Sequence, residues 1–259
     1  MDNPLKQLEN FGQSPWIDMI SRELLDSGAL KRMVDADGLK GLTSNPTIFE
    51  KAISSGKDYD ARIRNAASSS SDPKALFEAV ACADIQDGAD LLEPVYDKSG
   101  GADGFVSLEV SPTLAYDTEA TIAEGLRLFK AVGRKNLMIK VPATKEGLPA
   151  ITRLIGEGVN VNVTLIFSLA RYREVMDAYL AGLERLAKAG KPLASVSSVA
   201  SFFVSRIDTS VDKLLEGKKE HAGLAGKAAI ANAKLAYAAF EEVFGATRFS
   251  ALKAKGARA

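Results

Sequence analysis

A chain of 259 residues, 46% hydrophobic and 25% charged, has the size and make-up of an ordinary globular α/β domain. Its 33 basic and 33 acidic residues cancel, which removes the broad field that would gather nucleic acid or an anionic membrane. One cysteine, Cys82, and one histidine, His221, are too few for a zinc site, an internal disulfide, or a Ser/His or Cys/His triad. Cys82, in "LFEAVACADI", reads as a small core residue, and His221, in "GKKEHAG", as a solvated surface one. The N-terminal "MDNPLKQLEN" lacks the basic and apolar regions of a signal peptide, and no apolar run approaches about 18 residues. The expectation is a soluble cytoplasmic protein.

Apolar runs alternate with helical periodicity along the chain. "PWIDMI" (15–20) is the first predicted strand, with a helix over "SRELLDSGALKRMV". "LKGLTSN" (39–45) is the second, ended by Pro46. A helical insertion follows at about 46–100, its last helix capped by Asp72 with Pro73 in the first turn. "GFVSLEVSP" (104–112) is the third strand, and the helix after it starts near Asp117, with Ile122, Leu126 and Phe129 on one stripe. "NLMIKV" is the fourth and "GVNVNVTLIF" (158–167) the fifth, separated by the short helix "GLPAITRLIGEG". Ser168 caps a helix whose Tyr172, Val175, Met176, Tyr179, Leu183 and Leu186 recur at helical spacing as far as Gly190. "PLASVSSVASFFV" (192–204) is the sixth strand, and helical sequence follows. This alternation predicts βα units and a parallel sheet in a single domain, 1–259.

The strands carry polar residues on one side. Asn160, Asn162 and Thr164 alternate with Val161, Val163 and Leu165; Ser107 shares a side with Glu109, and Met138 with Lys140. A parallel sheet covered by helices on both faces reads as continuously apolar, and a half-exposed sheet conflicts with the crossover helices. A barrel reconciles the two, with its inward residues meeting at the C-terminal ends of the strands.

Lys140 in "NLMIKVPATKEG" is open to three readings: a surface strand residue, half of a buried ion pair with Glu109 or Asp18, or a reactive amine. Burial that brings a lysine from about 10.4 to about 7 favours the neutral form by about 4 kcal/mol. Such an amine forms a Schiff base with a ketone, and the protonated imine is a sink for the electrons of a breaking carbon–carbon bond. That chemistry needs no metal or other cofactor. It needs a proton carrier, for which Asp18 and Glu109 are candidates. Asp18 otherwise reads as a helix cap, and Glu109 as a structural ion pair.

"GLTSNPTIFEKAI" (41–53), "SLEVSP" (107–112), "KVPATKEGLPAI" (140–151) and "NVTLIFSLARY" (162–172) together resemble the longer bacterial transaldolases, in order over nearly the whole chain. These are similar to the fructose-6-phosphate aldolases, from which Glu109 and the long insertion set this sequence apart. The resemblance implies the (β/α)8 TIM-barrel family, with about six βα units in this chain. It implies the pentose phosphate pathway and transfer of a dihydroxyacetone unit from sedoheptulose 7-phosphate to glyceraldehyde 3-phosphate. The alternatives are an aldolase releasing dihydroxyacetone, or an impaired sugar-phosphate-binding fragment. By resemblance, Lys140 is the Schiff-base lysine, Asp18 the general acid/base, and Glu109 and Thr164 hold the catalytic water. Asn45, Asn162 and Ser201 would bind dihydroxyacetone hydroxyls, Phe203 would shape the pocket, and Arg206 would bind phosphate. Without the resemblance, Arg206 reads as a helix-start arginine pairing with Asp208.

The family pattern continues beyond "RFSALKAKGAR" into two more strands, and this sequence stops at "GARA". The expectation is therefore open first and sixth strands, a missing basic group for phosphate, and reduced stability or phosphate affinity. A homo-oligomer or a complementing C-terminal segment would be the partner, besides phosphorylated sugars.

Overall fold

The computed structural model describes residues 3–54 and 57–259, and of Lys219 and Ala222 the backbone alone. Residues 1 and 2 of the N-terminal segment, and 55 and 56 of the insertion, lie outside the described residues. The chain packs as two compact units, one comprising residues up to Pro112 with Ala123–Lys140, the other Thr113–Ile122 with Val141–Ala259.

The first unit opens with α1 (Pro4–Gln7), β1 (Trp16–Asp18), α2 (Arg22–Asp26) and α3 (Ala29–Arg32). The single helix expected after β1 is broken at Gly28, which adopts the left-handed conformation at φ 70°. The chain turns there because a residue without Cβ enters that region at no steric cost. β2 (Gly41–Thr43) leads into the insertion helices α4 (Pro46–Ser54), α5 (Asp60–Ala67) and α6 (Pro73–Lys98). As expected, Asp72 caps α6, accepting from the N–H groups of Lys74 and Ala75, with Pro73 as the first helical residue. β3 (Phe105–Glu109), α7 (Thr118–Val132) and β4 (Leu137–Pro142) follow. Asp117 caps α7 through Ala120 N–H.

β1, β2, β3 and β4 are parallel to one another in chain order. Their register stacks residues in layers on one face. Trp16, Gly41 and Phe105 form one layer, Asp18, Thr43, Ser107 and Met138 the next, and Glu109 with Lys140 the last. Gly41 is required by the first layer, since a Cβ there would lie 2.2 Å from the Trp16 indole. The large ring fills the space that glycine leaves.

The second unit contains α8 (Gly147–Glu157), β5 (Val161–Ile166), α9 (Leu169–Lys188), β6 (Ser198–Phe202), α10 (Ser205–Leu215), α11 (Ala228–Gly245) and α12 (Thr247–Lys253). α8 and α9 pack closely enough that a Cβ at Gly182 would meet the Ile155 Cβ at 2.6 Å. The stripe Tyr172, Val175, Met176, Tyr179, Leu183 and Leu186 is buried as its spacing predicts, and Ser168 caps α9 through Arg171 N–H. β6 starts later than expected. Leu193–Ser195 form a short 3-10 turn after Pro192, whose carbonyl accepts from Ser195 Oγ.

β5 and β6 are parallel, and Val161 and Val163 are buried as expected. Leu165 does not join them: it is 40% exposed, at φ 60°. The register steps from Val163–Ala200 to Ile166–Phe202, so β5 carries one residue more than β6. That is a β-bulge, and it turns Leu165 out of the ladder while Ile166 takes the buried side. Among the described residues no helix is long and apolar enough to cross a membrane.

Candidate active site

Within the first unit, the layers at the C-terminal ends of β1 to β4 gather the expected acid and amine groups. Lys140 is 6% exposed, with Nζ 3.3 Å from Glu109 Oε2. Nζ also donates to the Ser44 carbonyl at 3.0 Å. The surface reading of Lys140 is thus excluded by its burial. Burial pushes the Glu109 carboxyl above the usual range, opposed by Lys140 and reinforced by the charge of Asp18.

Asp18 ends β1 with its side chain exposed, one layer below Glu109 and Lys140. It does not cap the following helix. Ser21 does so, its Oγ accepting from Leu24 N–H at 3.1 Å. Asp18 is thereby free of the structural role that competed with an acid/base one.

Asn45 stands at the start of α4, where its Oδ1 accepts from Ile48 N–H at 3.0 Å. This cap uses the carbonyl oxygen and leaves the amide nitrogen without a partner among the described residues. Two neighbours escaped the sequence reading. Ser44 is fully buried, and its Oγ donates to the Ser107 carbonyl at 2.8 Å while its own carbonyl receives Lys140. Thr43 has a buried hydroxyl without a partner among the described residues, in the layer of Asp18 and Ser107. Extending the period-two reading from β3 to the three residues of β2 would have placed Thr43 on this face.

Beside Asn45 and Glu109 lies a cavity of about 90 Å³, bounded mainly by Phe49, Phe77, Ala81, Cys82, Leu108 and Leu128. Burial, with the charge of Glu78, pushes the Cys82 thiol up to about 11, as suits a packing residue.

The remaining predicted residues belong to the second unit. Asn162 and Thr164 are 1% and 2% exposed on β5. Asn162 Oδ1 accepts from Ser201 Oγ at 2.8 Å, which joins two of the expected hydroxyl-binding residues across β5 and β6. Phe203, just after β6, stacks on Phe167 with centroids 5.1 Å apart. Arg206 lies in the first turn of α10 with its guanidinium 4.7 Å from the Phe203 ring centroid. It does not pair with Asp208, whose Oδ1 instead accepts from Ala229 N–H. Among the described residues Arg206 has no carboxylate partner, so its positive charge is added to that of a helix N-terminus.

The model of the family described as "Transaldolase/Fructose-6-phosphate aldolase" matches residues 15–257. The chain belongs to this family. Among similar proteins, the transaldolase of Saccharopolyspora erythraea is 54% identical over 254 residues, covering 98% of this chain and 69% of that one. The Thermobifida fusca transaldolase is 53% identical, covering 100% of this chain and 71% of its own. The Trichodesmium erythraeum transaldolase is 46% identical, with coverages of 99% and 70%. Membership of a transaldolase family makes the chain an enzyme of the transferase class and its fold that of the α/β TIM-barrel family, with six strands among the described residues.

Proposed function

We propose that the chain transfers a dihydroxyacetone unit from sedoheptulose 7-phosphate to glyceraldehyde 3-phosphate through a Schiff base on Lys140, in the pentose phosphate pathway of the cytoplasm. The observation that carries this reading is the burial of the Lys140 amine against Glu109 and the Ser44 carbonyl.

In this reading the Lys140 amine adds to the ketose carbonyl, and water leaves as the imine forms. Asp18 takes the proton of the hydroxyl on the fourth carbon. The bond between the third and fourth carbons breaks, its electrons pass into the protonated imine, and erythrose 4-phosphate departs. The resulting enamine adds to the acceptor aldehyde, and Asp18 returns the proton to the new hydroxyl. Glu109 and Thr164 hold the water that hydrolyses the imine and releases fructose 6-phosphate. Asn45, Asn162 and Ser201 bind hydroxyls of the three-carbon unit, and Phe203 shapes the pocket. Arg206 binds the phosphate; its lack of a carboxylate partner among the described residues and the start of α10 support that role.

The test is borohydride reduction in the presence of fructose 6-phosphate, followed by peptide mapping. A reduced three-carbon adduct on Lys140, absent from Lys140→Ala, is expected. Turnover with Lys140 unmodified sinks the reading. Release of free dihydroxyacetone at the same rate with and without an acceptor aldehyde assigns the chain to aldol cleavage instead of transfer.

A further inference from the structure

The insertion and α2, the helix that follows the strand bearing Asp18, are joined by a buried polar cluster. Tyr59, immediately before α5, is 1% exposed, Asp84 of α6 is fully buried, and Arg22, the first residue of α2, is 7% exposed. Tyr59 Oη donates to Asp84 Oδ2 at 2.7 Å and accepts from the Arg22 backbone N–H at 3.1 Å. The Arg22 guanidinium donates to Asp84 at 3.1 Å and Asp87 at 2.6 Å, and pairs with Asp26. Arg62 reaches Asp84 at 3.6 Å and Asp87 at 3.0 Å.

The placement of the Tyr59 hydroxyl is unusual for a helix start. The first N–H groups of a helix have no partner within it, and a residue just before the helix normally supplies one. Ser21 supplies one here, for Leu24. The N–H of Arg22 is served from 37 residues away, by a phenol whose own proton is committed to a buried carboxylate. Donation to Asp84 makes the phenol oxygen a better acceptor. Phenylalanine at this position can do neither. Only Met19, Ile20 and Ser21 separate Arg22 from Asp18, and Ile20 is fully buried. The connection is therefore anchored at its middle and at its end.

We infer that Tyr59, held by Asp84, is a positioning residue: the helical insertion fixes the start of α2 and, through that short connection, the direction of the Asp18 carboxylate. The inference rests on the proposed role of Asp18 as the proton carrier of carbon–carbon cleavage. The two steps of the reaction separate it from a general structural role, since imine formation on Lys140 does not use Asp18 while cleavage does.

The experiment compares the full chain with Tyr59→Phe and Asp84→Asn. Borohydride trapping with dihydroxyacetone reads imine formation, and single-turnover release of the aldehyde product from fructose 6-phosphate reads cleavage. Tyr59→Phe is expected to trap within about twofold of the parent and to cleave about 10- to 100-fold more slowly, with KM little changed. The limb of the pH profile that depends on Asp18 should move as well. Asp84→Asn, which keeps a hydrogen-bonding side chain beside Tyr59, should show the same split more weakly. Arg134→Ala, which removes a surface pair with Asp90 on the same helix α6, is the control for lost stability without lost cleavage. Equal falls in trapping and cleavage, or unchanged cleavage in both variants, overturn the positioning role. If either variant fails to fold, the other decides between the two outcomes. Absence of trapping in the parent chain removes the functional reading itself, and this inference with it.

Discussion

Glu109 and Lys140 are direct register partners on β3 and β4, and their charged atoms stand 3.3 Å apart. Parallel pairing puts both side chains on the same face at the same height, so the contact is fixed by backbone hydrogen bonding as well as by charge. A carboxylate here can hold a water against the amine. Glu109→Gln is expected to lower kcat about 100- to 1000-fold, with imine hydrolysis affected more than substrate binding. Burial raises the Glu109 pKa, so the acid limb of the parent profile should sit above the ordinary value of 4.5 and vanish in the variant. Steady-state kinetics across pH, with trapped-imine lifetimes, check this.

Glu124 of α7 gives a stability prediction of opposite sign. Burial acts to raise its pKa but is outweighed by the Lys74 ammonium, the Ser111 N–H and Arg127, leaving it below 4.5. A carboxyl with a lowered folded-state pKa contributes stability above its unfolded value and loses it as pH falls through the folded one. Glu124→Gln should cost about 1–2 kcal/mol at pH 7, and its Tm should converge on that of the parent well below pH 4.5. Thermal melts as a function of pH decide the matter.

The Cys82 thiol, pushed up to about 11 by burial, should react with iodoacetamide at neutral pH far more slowly than a free thiol. Full reactivity should return in denaturant. A rate in native buffer equal to that in denaturant contradicts the packing assignment.

Gly41→Ala places a methyl group into the Trp16 indole. The expected loss is about 1–3 kcal/mol by chemical denaturation, most of it recovered by pairing the change with Trp16→Leu. Failure of the double variant to recover stability would show that the two positions do not compete for one space.

Arg206→Ala should raise KM for phosphorylated substrates by about 10- to 100-fold while leaving trapping with unphosphorylated dihydroxyacetone near the parent rate. Equal losses with both ligands place the effect on Phe203 packing and not on phosphate.

Much of this was legible in the residues because local rules act strongly. Asp72 with Pro73, Asp117 and Ser168 announce helix starts through side-chain oxygens that any solvated helix end would recruit. The polar alternation in "SLE" and "NVNVT" marked the residues that share a face, and the six strands expected match the six among the described residues. Other features depend on partners remote in sequence. The break at Gly28 is a backbone event that a continuous helical pattern conceals. Asp18 was ambiguous until Ser21 took the capping role. The Tyr59 cluster joins residues 25, 37 and 62 positions apart, which no periodicity reports. Ser44 was passed over because its contribution to Lys140 is a backbone carbonyl, which every residue possesses.

The bulge at Leu165 also governs how chains of this kind should be aligned. Thr164 and Ile166 already take opposite faces, and removing Leu165 would leave them adjacent with that alternation intact. A relative shorter by one residue at this point keeps every strand side chain on its own face. One shorter by two loses either Thr164 or Ile166 and must pass the parity change into the turn before α9. Gaps here should therefore be scored as the gain or loss of the bulge residue alone, with Thr164 held fixed in its column.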